Sequence, residues 1–313
     1  MKVVFFGTSS FAAGVLNFLA NQPECSFQAI VTRPDRPKGR DLKLLPSAVK
    51  IAAHDLALTC PIFQPLKASS TEFEAVMKAL TPELFIVVAY GEILKDSLLQ
   101  IPPLGAINIH ASLLPKYRGA SPIHRAIMHG EKETGISVIK MVSGMDAGPI
   151  LNTKVVPIAE DASFESVEKD LLEAAKLSIL ESIRMIHKGD CCFVEQDHAM
   201  ATYAPKLTPE DEKIHWELPA QVIHNQIRAL SPVPGAWCFV QDRGSLKRLK
   251  IKKTYLQHSL RTKPGMVVEQ TKNSLVISCG EDSLQILEVQ LEGKKTMPIQ
   301  EFLQGRAYPL LLS

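Results

Sequence analysis

Residues 3–6 form a short, continuously apolar run that turns polar at Gly7-Thr8-Ser9-Ser10. Apolar residues then return at helical spacing, as Phe11, Val15, Phe18 and Leu19. A run of that length fits a strand buried on both faces, and the later spacing fits one face of a helix. Ser9 or Ser10 can cap the helix by accepting one of its free N–H groups. The alternation repeats. Residues 27–31, 84–89 and 106–109 read as further buried strands, with helices over 47–58 and 69–80 between them. Strands are also predicted over 136–141 and 150–156, on either side of a glycine-flanked loop. Strands and helices that alternate in this way predict a doubly wound, Rossmann-like α/β sheet.

A long helical stretch over 163–187 closes this first domain, with Val167, Leu171, Leu172, Ala175, Leu177, Ile179, Leu180, Ile183 and Ile186 as candidate core positions. The domain is expected to span 1–190. Residues 191–208 carry little pattern, and Pro205 and Pro209 punctuate the chain near their end, so they read as a linker. Residues 209–313 differ in character. After a helix over 219–230, short strands are predicted over 237–240, 246–255, 265–268, 275–279 and 284–291. That spacing suggests a small β-barrel.

Composition narrows the class. Of 313 residues, 46% are apolar and 22% charged, which suits a globular chain with a well-buried core and excludes a disordered one. The lysine and apolar run at the start resemble a signal peptide, but residues 7–10 interrupt it too early, and no stretch has the length of a membrane span. A cytoplasmic location is expected. The six cysteines form no CxxC pair, and Cys191 and Cys192 are adjacent, so reduced thiols and no metal are expected. The net charge of +2 names no partner, but it is unevenly spread. Residues 205–313 hold 15 Lys/Arg and 11 Asp/Glu, and residues 243–263 hold eight basic residues and no acid. Arg248, Lys250 and Lys252 share one face of a predicted strand. Such a face suits a nucleic-acid backbone, or else guards a solvated edge strand.

In a doubly wound sheet the ligand site lies at the carboxyl ends of the strands. Gly7-Thr8, Ala89-Tyr90-Gly91 and Asn108-Ile109-His110 are therefore expected at one edge. No GxGxxG follows the first strand, so a dinucleotide is not the expected ligand. Asn108 and His110 have the same parity and project to the same side. An amide can donate to a developing oxyanion, and an imidazole can move a proton near neutral pH. Asp146, between Gly144 and Gly148, could orient that imidazole. The plain alternatives are side chains that only satisfy nearby backbone groups. No serine or cysteine nucleophile stands beside the pair, which favours direct transfer over an acyl-enzyme. Residues 112–115 would line the same crevice, and Lys116, Tyr117 and Arg118 could meet an anion or solvent. Residues 33–43 carry five basic residues among prolines and glycine, and read as a long exposed loop or a basic finger for phosphates.

NIHASLLPKYRGASPIHRAI (residues 108–127), together with GMDAGPI (144–150), resembles the folate-dependent formyltransferase family. FFGTSSFAAGVL, PDRPKGRDLKLLPSAVK, VVAYGEIL, YAPKLTPEDEKIHW and GKKTMPIQEFLQG extend the resemblance over essentially the whole chain, towards members whose acceptor is methionyl-tRNA. The resemblance implies a catalytic trio of Asn108, His110 and Asp146. It implies folate contacts at Ser112, Leu113, Leu114, Pro115, Ala89, Tyr90, Gly91 and Ile93. It implies tRNA contacts from Arg36, Lys38, Arg40 and Lys43 in the finger, with Arg248, Lys250 and Lys252 as further candidates on an OB-like barrel. The implied co-substrate is 10-formyltetrahydrofolate and the implied partner is initiator methionyl-tRNA. A monomer that uses neither metal nor membrane is expected. Rival readings are a formyltransferase for glycinamide ribonucleotide or an amino sugar, a formyltetrahydrofolate hydrolase, and a non-catalytic RNA-binding module. The chain departs from the family pattern at Ser9-Ser10, Ala111 and His215.

Overall fold

The computed structural model describes residues 1–38, 43–242, 245–258 and 262–304. The chain divides into two compact units. The first holds Met1–Gly119, Glu133–Pro157 and Glu168–Ala204, and the second holds Ala120–Lys132, Ile158–Val167 and the chain from Pro205 onward.

A seven-stranded sheet organises the first unit. Its strands lie in the order Ile150–Pro157, Glu133–Lys140, Ala106–His110, Leu84–Val88, Lys2–Gly7, Ser26–Val31 and Ile62–Phe63. The last five run parallel, as predicted for a wound sheet. The other two form an antiparallel hairpin on the Ala106–His110 edge. From Lys2–Gly7 the chain builds outward on one side, then returns to build on the other, so the strand order reverses beside Leu84–Val88. Side chains alternate across the sheet. Val4 and Phe6 join Phe85, Val87, Phe73 and Met77 in one buried cluster. The Phe6 ring meets Phe85 and Tyr90 edge-on, with centroids 5.0 and 5.5 Å away.

The first helix starts on the predicted cap Ser9, and two others start on serine caps of the same kind. Ser9, Ser47 and Ser70 each accept a backbone N–H at the first turn of Ser10–Leu19, Ala48–Asp55 and Thr71–Ala79 respectively. The long helix spans Phe164–Lys188. Its buried stripe is Val167, Leu171, Ala175, Ile179, Ile183 and Ile186, and Ser178 and Ser182 are buried within it. Leu177, a candidate core position, is 56% exposed. Positions 175 and 179 lie one turn apart on the stripe, and 177 falls between them on the opposite side of the helix. Ser182 avoids an unmet donor by bonding back to the Ser178 carbonyl at 2.8 Å.

The second unit is built on an antiparallel sheet. Its order is Ala236–Asp242, Ser245–Gln257, Ser283–Leu291, Leu275–Ser278 and Val267–Gln270, with Met297–Pro298 also paired to Ser283–Leu291. Among the described residues no ladder joins the two outer strands. The helix Ala220–Leu230 places Ile223, Ile227 and Leu230 in a core with Cys238, Leu249, Ile251, Leu284 and Ile286.

Two segments from the earlier sequence belong to this second unit and are held by charged groups. Arg125, on the helix Pro122–Met128, forms a two-pronged pair with Asp211 at 2.6 and 2.8 Å. Buried Arg228 donates to the Ala159 and Ala162 carbonyls at 3.4 and 3.0 Å, and to Asn225 at 3.0 Å. His124 stacks on Phe164 with centroids 4.0 Å apart. Burial, then the neighbouring Arg125 charge, pushes that imidazole down to about 4, so it is neutral at pH 7.

The Arg125–Asp211 pair predicts acid sensitivity. The guanidinium, aided by N–H and hydroxyl donation from Thr208, holds the Asp211 carboxyl down to about 2, against an ordinary 3.8. A folded-state value below the unfolded one stabilises above the unfolded value, and the contribution disappears as pH falls through the folded one. The second unit should therefore lose about 1–2 kcal/mol between roughly pH 4 and pH 2, after allowance for solvent screening. Arg125→Ala should remove a similar amount at pH 7 and flatten that acid loss. Both tryptophans, Trp216 and Trp237, lie in this unit, so their fluorescence during urea unfolding reads it directly. An acid response unchanged by Arg125→Ala would refute the assignment.

Candidate active site

The strand Ala106–His110 ends on His110, and its register sets Asn108 opposite Val87 and Ile139, and His110 opposite Ser137. Period-two geometry thus sends Asn108 and His110 to the same side, as the sequence predicts. Asn108 is half-buried, and its amide has no side-chain hydrogen bond among the described residues. His110 is buried, with Nε2 2.9 Å from the Tyr117 carbonyl. A carbonyl only accepts, so Nε2 carries the proton in that bond. The other ring nitrogen, Nδ1, faces Asp146 Oδ2 at 3.6 Å. That is beyond direct hydrogen-bond range but within ion-pair reach, so Nδ1 is the nitrogen that can exchange a proton or pair as an imidazolium. The same Oδ2 accepts the Gly119 N–H at 2.8 Å. Asp146 sits at φ +48°, in the left-handed region that most side chains avoid.

The loop after the histidine strand is tied at every step. Ser112, fully buried, donates to the Lys116 carbonyl at 2.6 Å. Ser137, on the neighbouring strand, donates to the Ser112 carbonyl at 2.7 Å and accepts the Leu114 N–H at 3.1 Å. Leu114 is buried, Leu113 and Pro115 are half-buried, and the Leu114–Pro115 peptide is cis. Tyr117 donates its N–H to Thr202 Oγ1 at 2.9 Å, and Arg118–Gly119 pairs in parallel with Tyr203–Ala204. A Cβ on Gly119 would stand 2.7 Å from the Ala204 carbonyl oxygen at φ +121°, so this close approach requires glycine.

The strand end at 89–93 is built similarly. Ala89 and Gly91 both take positive φ, and Thr8 donates its hydroxyl to the Tyr90 carbonyl at 2.8 Å. The Tyr90 ring turns inward to Phe6, so its backbone and not its ring remains for a ligand. Burial, with the Glu92 charge, pushes its phenol up to about 12. Glu92 pairs with Arg33 and accepts the Ala68 N–H at 2.9 Å. Ile93 is 76% exposed, an apolar side chain left open beside the strand ends.

Three expectations need correction. The basic segment is not a featureless loop: Arg36–Lys38 pairs with Lys43–Leu45 as an antiparallel hairpin. Strands of three residues are too short to show a period. Arg36 is exposed, while Arg40 and the side chains of Lys38 and Lys43 lie outside the described residues. Arg118 is not a free cation for an anion. It is 4% exposed and forks onto Gln196 Oε1. Nor do Arg248, Lys250 and Lys252 form a uniform basic face. Lys252 is 8% exposed and donates to the Pro232 carbonyl at 2.6 Å, and Lys250 does the same to the Pro234 carbonyl at 2.6 Å. Burial, then repulsion from Lys250, lowers the Lys252 ammonium pKa. Only Arg248 of the three is exposed, with its guanidinium 4.4 Å from the Trp237 ring centre.

Ser137, Gln196 and Thr202, which shape the site, carry no sequence signal: each is a lone polar residue in a segment with another obvious role. Among the described residues no His/Cys/Asp/Glu group could hold a metal ion. The arrangement offers an amide with free donors, an imidazole paired to a carboxylate, and an open apolar side chain near the strand ends.

A sequence model described as formyl transferase matches residues 1–183, and one described as formyl transferase, C-terminal domain, matches 206–307. The chain is 44% identical to a methionyl-tRNA formyltransferase of Protochlamydia amoebophila, over 97% of this chain and 95% of that protein. It is 43% identical to one from Moorella thermoacetica, over 99% and 97%. Among solved structures, an N-formyltransferase from Helicobacter canadensis in complex with folinic acid and dTDP-3-aminofucose has the same fold. It matches at TM-score 0.66 and 17% identity over 91% of this chain and 98% of that one. HypX from Aquifex aeolicus in complex with tetrahydrofolic acid matches at TM-score 0.63 and 18% identity, and the 97% of this chain that aligns spans 48% of that longer protein. With two formyl transferase matches and full-length relatives well above 30% identity, the chain belongs to the methionyl-tRNA formyltransferase family.

Proposed function

We propose that the chain transfers the formyl group of 10-formyltetrahydrofolate to the α-amino group of initiator methionyl-tRNA, giving N-formylmethionyl-tRNA for translation initiation. The observation that carries this is Asn108, whose amide donors find no side-chain partner among the described residues, on the same side of the strand as an imidazole whose Nδ1 faces Asp146. The names of the relatives support the acceptor.

The chemistry follows from those groups. An α-amino group titrates near roughly 7.7–8.0, so its neutral form is accessible at neutral pH. Its lone pair attacks the formyl carbon, and the formyl oxygen takes up negative charge. Asn108 donates to that oxygen, where an amide already freed of other partners needs no rearrangement. The C–N bond to folate N10 then breaks. N10 gains a proton and the amine nitrogen loses one. His110, with Asp146 beside Nδ1, carries protons between these nitrogens, directly or through water.

The residues fit a folate. Ala89, Gly91 and the Tyr90 backbone, exposed Ile93 and the Ser112–Pro115 loop offer main-chain groups and apolar surface, which suit a flat, polar-edged pterin. In this reading the unit that holds Asn108, His110 and Asp146 binds folate and extends past the expected limit of 190 to Ala204, so the connection is shorter than 191–208, and residues 209–313 with the finger at Arg36, Lys38, Arg40 and Lys43 grip tRNA. Exposed Arg248 beside Trp237 supports a contact to nucleic acid more than the engaged Lys250 and Lys252 do. The protein acts as a cytoplasmic monomer. Among the described residues no helix is long and apolar enough to cross a membrane.

The test is transfer of radiolabelled formyl from the folate donor. Label should appear on tRNA-bound methionine. Label on a nucleotide-linked amino sugar or glycinamide ribonucleotide but not on tRNA, or release of formate alone, would replace this reading with a rival.

A further inference from the structure

Gln196 lies in the weakly patterned stretch after the long helix, outside the segments 1–183 and 206–307 that the family models match. It is nevertheless only 6% exposed, and both ends of its amide are committed. Nε2 donates to the Asp146 carbonyl at 2.8 Å and to the Gly148 carbonyl at 2.7 Å. Oε1 accepts from Arg118 Nε at 3.1 Å and Nη2 at 2.6 Å. Arg118 Nη2 also meets His198 Nδ1 at 2.9 Å. Arg118 is followed by Gly119, whose N–H bonds the Asp146 carboxylate at 2.8 Å. One amide therefore holds the Asp146 backbone directly, and through Arg118 it holds the strand that grips the Asp146 side chain.

Asp146 needs such a hold. Its backbone is at φ +48°, a conformation a non-glycine residue keeps only when its surroundings enforce it. Two residues on, a Cβ at Gly148 would fall 1.8 Å from the Lys140 carbonyl oxygen, so the loop is pressed against the sheet there. Gln196 closes the other side by taking both loop carbonyls.

We propose that Gln196 is a positioning residue for formyl transfer, whose amide fixes the Asp146 loop so that the carboxylate faces His110. The inference rests on the role given to Asp146 above. A side chain that merely fastens residues 191–204 would affect stability and leave turnover alone. A positioning residue affects turnover through Asp146.

The experiment is steady-state formyl transfer by the full chain with Gln196→Met and Gln196→Glu, each alone and combined with Asp146→Asn. Gln196→Met removes all four bonds, and kcat should fall about tenfold to a hundredfold with KM for donor and tRNA near that of the parent. Gln196→Glu keeps an acceptor for Arg118 but sets a carboxylate oxygen against two carbonyls. Its kcat should fall at least as far while thermal unfolding stays closer to that of the parent. With Asp146→Asn, neither variant should slow the reaction further, because the lost contact acts through that carboxylate. Parental kcat in both Gln196 variants while Asp146→Asn is slow would overturn this inference and leave the proposed function standing. Losses that multiply in the Asp146→Asn background would overturn it too, as would two Gln196 variants that fail to fold. Full turnover by Asp146→Asn would overturn both it and the role of Asp146.

Discussion

His110→Ala is expected to lower kcat about 10²- to 10⁴-fold, the range for loss of a positioned proton-transfer group. The imidazole is buried, one nitrogen is committed to the Tyr117 carbonyl, and the other is turned to Asp146. Removing it also takes away the buried hydrogen bond to the Tyr117 carbonyl, so alanine mixes loss of chemistry with some loss of stability. His110→Gln separates the two. Its terminal amide can reach towards the Tyr117 carbonyl as Nε2 does, but it cannot titrate. Glutamine should therefore retain more of the thermal stability than alanine while turning over just as slowly. A glutamine variant with near-parental kcat would show that the imidazole serves only as a tether, and proton transfer would have to be assigned elsewhere.

Asn108→Ala should cost about 10²–10³ in kcat, the usual penalty for removing one oxyanion donor. Here the stability control is cleaner than for His110. The Asn108 amide makes no side-chain hydrogen bond among the described residues, so its removal leaves no protein partner unmet. Thermal unfolding should barely move, and KM for the folate donor should stay close to that of the parent, because the contact strengthens only as charge develops on oxygen. Asn108→Asp, nearly the same size, should be at least as slow because it places an anion where negative charge must grow. A large rise in KM with kcat preserved would mean that Asn108 binds ground-state folate instead.

The parts of this fold that can be read from sequence are those whose signal repeats. Residues 3–6 and 84–88 are continuously apolar because both faces of the sheet are covered there, and the shared direction of Asn108 and His110 on Ala106–His110 follows from period two alone. The parallel pair Arg118–Gly119 with Tyr203–Ala204 is too short to show any period, and its partners are far apart in the chain. Charge misleads where burial is not visible. Lys250 and Lys252 look like an exposed stripe until Pro232 and Pro234 turn their carbonyls towards them. Arg118 reads as an anion hook because nothing local reveals that Gln196 waits for it. Leu177 counts as core only while the stripe is traced by composition and not by angle. In the site, Asn108, His110 and Asp146 are candidates by residue type that the family resemblance singles out, whereas Ser137 and Gln196 act through a few bonds to main-chain groups, and no motif marks those.

The short ladder at Arg118–Gly119 bears on how this protein can be cut into pieces. Residues 194–204 are not spare chain. Val194 bridges to Ile150, Gln196 holds the Asp146 loop, Thr202 holds Tyr117, and Tyr203–Ala204 lies along Arg118–Gly119. A fragment ending at residue 183 or 190 would keep Asn108, His110 and Asp146 in its sequence but discard the scaffold that aims one of them. A piece meant to keep Asp146 aimed at His110 must therefore retain residues 194–204, and even a cut after Ala204 would strip Arg125 and the Ala162 carbonyl of their partners Asp211 and Arg228.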